Sequence, residues 1–164
     1  MKTNQEGINL IKLFEGLHDG DLKQIGLQPK RCPADIWTEG YGRTMRDSKG
    51  NFLKGLKNKD LAFKNATIHT EKEAETALKE DLKVYEAIVN RNIKVAINEN
   101  QYSALVSYVY NTGGSSTLYS LINKKAPDRD IRNWIENHYI MGGGKILKGL
   151  ILRRKAESNL YFKP

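Results

Sequence analysis

The 164-residue chain is predicted to be α+β, with a small glycine-punctuated β region followed by a helical remainder. Three observations carry this. Residues 36–43, Ile-Trp-Thr-Glu-Gly-Tyr-Gly-Arg, combine β-branched and aromatic side chains with spaced glycines, as a bent strand or hairpin arm does. Asp47-Ser48-Lys49-Gly50-Asn51 supplies a hairpin turn just beyond it. From Thr70 onward, apolar residues recur at helical spacing between capping and breaking signals.

Taken in order, Thr3 with Glu6 three places later reads as a capping box, opening a helix over residues 4–15. Ile8 and Ile11 lie seven and four residues before Glu15, so one stripe carries two isoleucines and then a carboxylate. Gly16 follows as the helix terminator, because glycine takes the left-handed backbone that closes a helix. A long loop leads to the β region, where Thr38 lies on the strand. Thr70 and Glu73 form a second capping box for a helix running to about residue 90, with Ala74, Leu78, Leu82, Tyr85 and Val89 on one stripe. Its length suits a strut joining two lobes, 1–69 and 70–164, of a single domain. Helices over 98–110, 116–124, 128–139 and 146–162 follow, separated by Gly113-Gly114, Pro127 and Gly142-Gly143-Gly144. No internal repeat or low-complexity segment is present.

A chain of this length buries roughly 70 % of its unfolded surface and needs no cofactor to hold a core. Its single cysteine cannot form an internal disulfide, which fits a reducing compartment. The apolar runs are too short to span a bilayer, and MKTNQEGINL lacks the hydrophobic region of a signal peptide. Synthesis and folding in a cytoplasm are therefore expected. With 27 basic and 19 acidic side chains the net charge is +8, favouring anionic partners: nucleic acid, anionic lipid or a bacterial wall. The basic residues are scattered through 54–64, 124–132 and 145–155 without a dense block, as on solvated helix faces. His18, His69 and His138 are too dispersed for a metal site, and Gly40-Tyr41-Gly42 lacks a phosphate-binding fingerprint. Neither a metal nor a nucleotide is expected.

Phe14-Glu15-Gly16, Cys32-Pro33-Ala34 and Trp37-Thr38-Glu39-Gly40-Tyr41-Gly42-Arg43-Thr44 together resemble the active-site segment of the phage-type lysozymes, glycoside hydrolase family 24. The blocks Asn100 to Ser107 with Tyr110-Asn111-Thr112-Gly113, and Gly143-Gly144-Lys145 with Gly149 to Glu157, resemble that family's later blocks in the same order. The resemblance covers nearly the whole chain and implies a lysozyme-like fold: a small β-hairpin lobe joined by a long helix to a helical C-terminal lobe. The family's pattern of an Asp or Cys, five residues, then a Thr fits Cys32 to Thr38. Two features depart from it. Sixteen residues (16–31) separate Glu15 from Cys32, about twice the family's spacing, with the extra material within His18 to Lys30. Asp35 and Arg43 also replace the family's usual glycine and histidine.

Hydrolysis of a glycosidic bond needs an acid for the leaving oxygen and a group that stabilises the oxocarbenium centre or activates water. The resemblance implies Glu15 as the acid, Cys32 at the position of the second carboxylate, and Thr38, a donor and acceptor, as a water-positioning residue. Glu15 closes an apolar stripe beside the negative end of a helix dipole, a setting suited to a proton donor. Cys32 also reads as a small half-buried hydrophobe. Strand alternation argues against Glu39, because it points opposite to Thr38. Asp35 and Asp21 are the fallback carboxylates, although turn and loop aspartates ordinarily accept local hydrogen bonds. By family position, Tyr41, Asn111, Gly113 and Gly143 are substrate contacts, and Arg154, with Arg153 as fallback, pairs with the acid; Trp134 reads as core.

The implied activity is an endolysin's N-acetylmuramidase activity on the β-1,4 bond between N-acetylmuramic acid and N-acetylglucosamine. Peptidoglycan is the partner, with no nucleic acid and no stable membrane insertion. A monomer is expected, starting in the host cytoplasm and reaching the wall through a holin-type lesion. The rival readings are a wall-binding module that lost catalysis at Cys32, and a basic helical nucleic-acid binder resting on charge alone.

Overall fold

The structure, a computed structural model, describes residues 1–164. It is α+β, with seven α-helices and two small antiparallel sheets. The chain divides into two compact units, Glu15–Asp81 and Met1–Phe14 with Leu82–Pro164.

In the first of these, β1 (Lys30–Arg31), β2 (Trp37–Glu39) and β3 (Arg43–Thr44) form one sheet, with Lys30 opposite Thr38 and Thr38 opposite Thr44. The glycine-marked arm is thus a hairpin in its own right, turning through Gly40-Tyr41-Gly42. Gly40 has φ 59°, and a Cβ there would meet Ile68 and Ala74, so glycine alone fits. The predicted turn is present: Asp47 N donates to Asn51 O at 2.8 Å and Gly50 N to Asp47 O at 3.0 Å. Trp37, Met45, Leu53 and Ala62 form the core, with Phe63 edge-on to Trp37 at 5.9 Å. Ala62 and Phe63 lie on α2 (Lys59–Asn65), a short helix that follows a 3-10 turn at Leu56–Asn58. The sequence reading missed it because seven residues give too few turns to show a period.

Thr70 and Glu73 exchange hydrogen bonds at 3.1 Å, capping α3 (Glu71–Asn92) as predicted; its 22 residues span about 33 Å. Arg43 grips the first half of α3, donating from Nε and Nη2 to Asp81 at 3.0 and 2.9 Å and to the Ala77 carbonyl at 3.0 Å. The forked pair holds the hairpin arm, and Asp81 keeps the guanidinium above its usual range.

The other unit contains α4 (Glu99–Thr112), α5 (Ser116–Asn123), α6 (Asp128–Asn137) and α7 (Lys148–Tyr161). A hairpin of β4 (Met141–Gly142) and β5 (Lys145–Ile146) precedes α7. In the sequence it shows only as a glycine spacer, because two residues per strand are too few to show alternation. Residues 102–109 of α4 are all buried, as expected of a helix sheathed on every side. α1 (Gln5–Glu15) belongs here as far as Phe14, where the sequence reading grouped it with the β lobe. Gly7 allows it close to α4, since a Cβ there would come within 2.6 Å of Ser103 Cβ.

The predicted capping box of α1 is corrected. Asn4 is the cap, its Oδ1 accepting from Gly7 N at 3.0 Å. Thr3 instead gives its N–H and hydroxyl to Glu86 at 2.8 and 2.7 Å. A long-range carboxylate outcompeted the local motif.

Candidate active site

Glu15 is the last residue of α1, and Gly16 follows at φ 72°. The next residues are tied to the hairpin arm: His18 N donates to Gly40 O at 2.8 Å, and His18 Nδ1 lies 3.0 Å from the same oxygen. This clasp fixes the helix end against the β2–β3 turn. Cys32 lies where β1 turns back into β2. Its N–H donates to Ile36 O at 2.8 Å and its carbonyl accepts from Asp35 N at 2.8 Å. Asp35 takes φ 63°, which explains why glycine is usual at this position, and its carboxylate pairs with Arg31. Asp35 is thus occupied as a local acceptor.

Glu15 and Cys32, both half-buried, line one pocket of about 540 Å³ with Gly16, Leu17, His18, Lys30, Arg31 and Pro33. Two residues 17 positions apart in sequence therefore share a cavity. Thr38 does not line it. It is 3 % exposed on β2, and its hydroxyl donates to the Lys30 carbonyl at 2.8 Å, behind the pocket wall that Lys30 forms. With its proton engaged, its oxygen can only accept from a water.

Glu39 is buried and caps the chain before α3. It accepts from Thr67 N at 2.9 Å, Thr67 Oγ1 at 2.9 Å and Ile68 N at 3.1 Å. Asp19 and Asp21 shape the long loop: Asp19 Oδ1 accepts from Asp21 N and Gln28 N, and Asp21 from Lys23 N and the Gln24 amide. The Gln24 bond, then the Lys23 bond, holds the Asp21 carboxyl below its usual range.

Tyr41 is buried at 6 % exposure, its hydroxyl donating to Glu71 at 3.2 Å. In the helical unit, Asn111 is exposed and its Oδ1 accepts from Arg154 Nη2 at 2.8 Å. Gly113 is the left-handed C-cap of α4 at φ 82°, and Gly143 turns the β4–β5 hairpin at φ 57°. Arg154 is fully buried beside Glu157, Nε to Oε2 at 3.0 Å, while Arg153 Nε donates to Glu157 Oε1 at 3.2 Å. Trp134 is half-buried with His138 stacked on it at 3.6 Å, rather than the fully buried core residue expected.

The sequence reading passed over Lys30, Arg31 and His18 as site residues. The strand register, Lys30 opposite Thr38, brings Lys30 and Arg31 to the pocket, and the clasp on Gly40 brings His18.

Comparison with known proteins agrees with this architecture. A family model described as phage lysozyme matches residues 20–157. The endolysin of Acyrthosiphon pisum secondary endosymbiont phage 1 is 30% identical over 168 residues, covering 98% of each chain. The endolysin of Bacillus phage PZA is also 30% identical over 98% of this chain, which spans 55% of that protein's length. The muramidase domain of SpmX from Asticaccaulis excentricus superposes with a TM-score of 0.73 at 26% identity, covering 99% of each chain. The fold is lysozyme-like.

Proposed function

The chain belongs to the phage lysozyme family, and from that premise we propose that it hydrolyses the β-1,4 bond between N-acetylmuramic acid and N-acetylglucosamine in peptidoglycan. The observation that carries the reading is the pocket shared by Glu15 and Cys32. A carboxyl group at a helix end faces the same space as a thiol on a hairpin turn, which gives an acid and a water site within one cavity.

In this reading Glu15 donates its proton to the glycosidic oxygen as the bond to the anomeric carbon breaks. A water held beside Cys32 attacks that carbon from the opposite face, giving net inversion, and its proton passes to the Cys32 sulfur, which acts as a thiolate and becomes a thiol. Thr38 acts from behind the pocket wall: through its bond to Lys30 O it holds the hairpin that carries Cys32 and so positions the water indirectly. Lys30 and Arg31 offer cations to a carboxylate-bearing polymer, in line with the net charge of +8. Asn111, Gly113, Gly143 and Tyr41 keep the substrate-binding roles that family position gives them, Tyr41 from beneath the surface. Family position gives Arg154 the role of the acid's partner, and its own bonds are to Glu157 and Asn111. A monomer that starts in the host cytoplasm and passes a holin-type lesion completes the proposal.

Clearing of a peptidoglycan suspension tests it. Wild type should clear it, and Glu15→Gln should be slower by about 10²-fold or more at unchanged thermal stability. Mass spectrometry of the digest should show muramic acid at the new reducing end. Equal clearing by both proteins, or glucosamine at that end, would overturn the reading. Cys32→Ser should slow clearing and Cys32→Asp should retain it; an undiminished rate in the serine variant removes the thiol from the mechanism.

A further inference from the structure

The first two turns of α7 are inside out. A helix on a protein surface ordinarily buries its aliphatic residues and exposes its charges. Here Arg153 and Arg154 are buried, held by Glu157, while Ile151 and Leu152 are 39 % and 51 % exposed. Leu147, the residue before the helix and one turn from Ile151, is 43 % exposed. The Arg–Glu cluster fixes the rotation of the helix, and the aliphatic stripe has to face out.

The preceding hairpin extends the same surface. Met141 and Ile146 pair across β4 and β5, so their side chains share one face, and they are 58 % and 62 % exposed. Between Glu136 and Glu157 the sequence has no acidic residue but has Lys145, Lys148 and Lys155, all exposed.

We infer that this face, the outer side of the β4–β5 hairpin with the first two turns of α7, docks the protein on an anionic lipid bilayer. Five large exposed apolar side chains and three exposed lysines within residues 141–155, a stretch without an acidic residue, match the interfacial mode. The apolar groups enter the headgroup boundary and the ammonium groups meet lipid phosphates. The same charge argues against a second copy of the chain, since two such faces would oppose lysine to lysine. No helix is long and apolar enough to cross a membrane, so the contact is peripheral. The inference is independent of glycan cleavage, because a vesicle contains no glycan.

Co-sedimentation of the full chain with vesicles tests it, comparing equal mixtures of phosphatidylglycerol and phosphatidylcholine with phosphatidylcholine alone. Binding should be saturable on the anionic vesicles, weak on the neutral ones and reduced by salt. The triple variant Ile146→Gln, Ile151→Gln, Leu152→Gln, checked for native circular dichroism, should bind about tenfold more weakly or worse. Lys57→Gln with Lys64→Gln, exposed lysines of the other unit, should leave binding within about twofold. Three results would overturn the inference: no binding of wild type to anionic vesicles, equal loss in the two variants, or a wild-type dimer in sedimentation equilibrium that the triple variant abolishes.

Discussion

Glu157→Gln should cost the helical unit about 3–5 kcal/mol, because it removes the carboxylate from a buried ionic cluster and leaves the cations in place. Glu157 is 1 % exposed. Its Oε1 accepts from Ser107 Oγ at 2.7 Å, Arg154 Nη2 at 3.1 Å and Arg153 Nε at 3.2 Å, and its Oε2 lies 3.0 Å from Arg154 Nε. Burial pushes the Glu157 carboxyl up and the Arg154 guanidinium down, each opposed by attraction to the other. Glutamine preserves the shape but has one accepting oxygen, so whichever way the amide turns its NH₂ meets an N–H donor. Against a total stability of ordinarily about 5–15 kcal/mol this is a large fraction, and the melting temperature should fall by roughly 10 °C. Thermal and urea unfolding at pH 7, followed by circular dichroism, measure it. Arg154→Met combined with Glu157→Gln should restore part of the loss, because one of the stranded cations is gone. A deficit below about 1 kcal/mol for Glu157→Gln would show that the cluster does not hold α7, and the explanation of its outward aliphatic face would fall with it.

Glu39→Gln should destabilise the β-containing unit by about 2 kcal/mol, since three hydrogen bonds converge on one carboxylate; urea unfolding reads it, and an unchanged midpoint would contradict the capping role. Gly16→Ala should cost about 1 kcal/mol from backbone conformation alone, because at φ 72° a Cβ meets nothing within 4 Å. A neutral or stabilising result in thermal unfolding would argue against the left-handed helix end. The Glu73 carboxyl is held below its ordinary value by the His69 N–H, then by Thr70, so its contribution is present above the ordinary carboxylate value and is lost as pH falls through the folded one. The gap in urea midpoint between wild type and Glu73→Gln should therefore be open at pH 7 and close as pH drops below about 4. A gap that persists unchanged into strong acid would place its origin elsewhere.

Much of this molecule was legible without coordinates. The helices near 70–90, 98–110, 116–124 and 128–139 were readable because capping groups, glycines and a 3.6-residue period are local, and the structure keeps the Thr70 and Glu73 caps and the Gly113 stop. The position of the Glu15 carboxyl at a helix end was equally local, since Gly16 follows it directly. The arrangement of Glu15 and Cys32 around one pocket needed the His18 clasp on Gly40 and the register that sets Lys30 opposite Thr38, both made by distant backbone. Thr3 shows the limit most simply: its capping signature was sound, yet Glu86, 83 residues away, took both of its donors. Likewise no pattern in residues 148–161 says that Arg153 and Arg154 go inside and Ile151 and Leu152 outside. That choice is made by Glu157 and Ser107, because a buried charge must find its partner before aliphatic residues can compete for the interior.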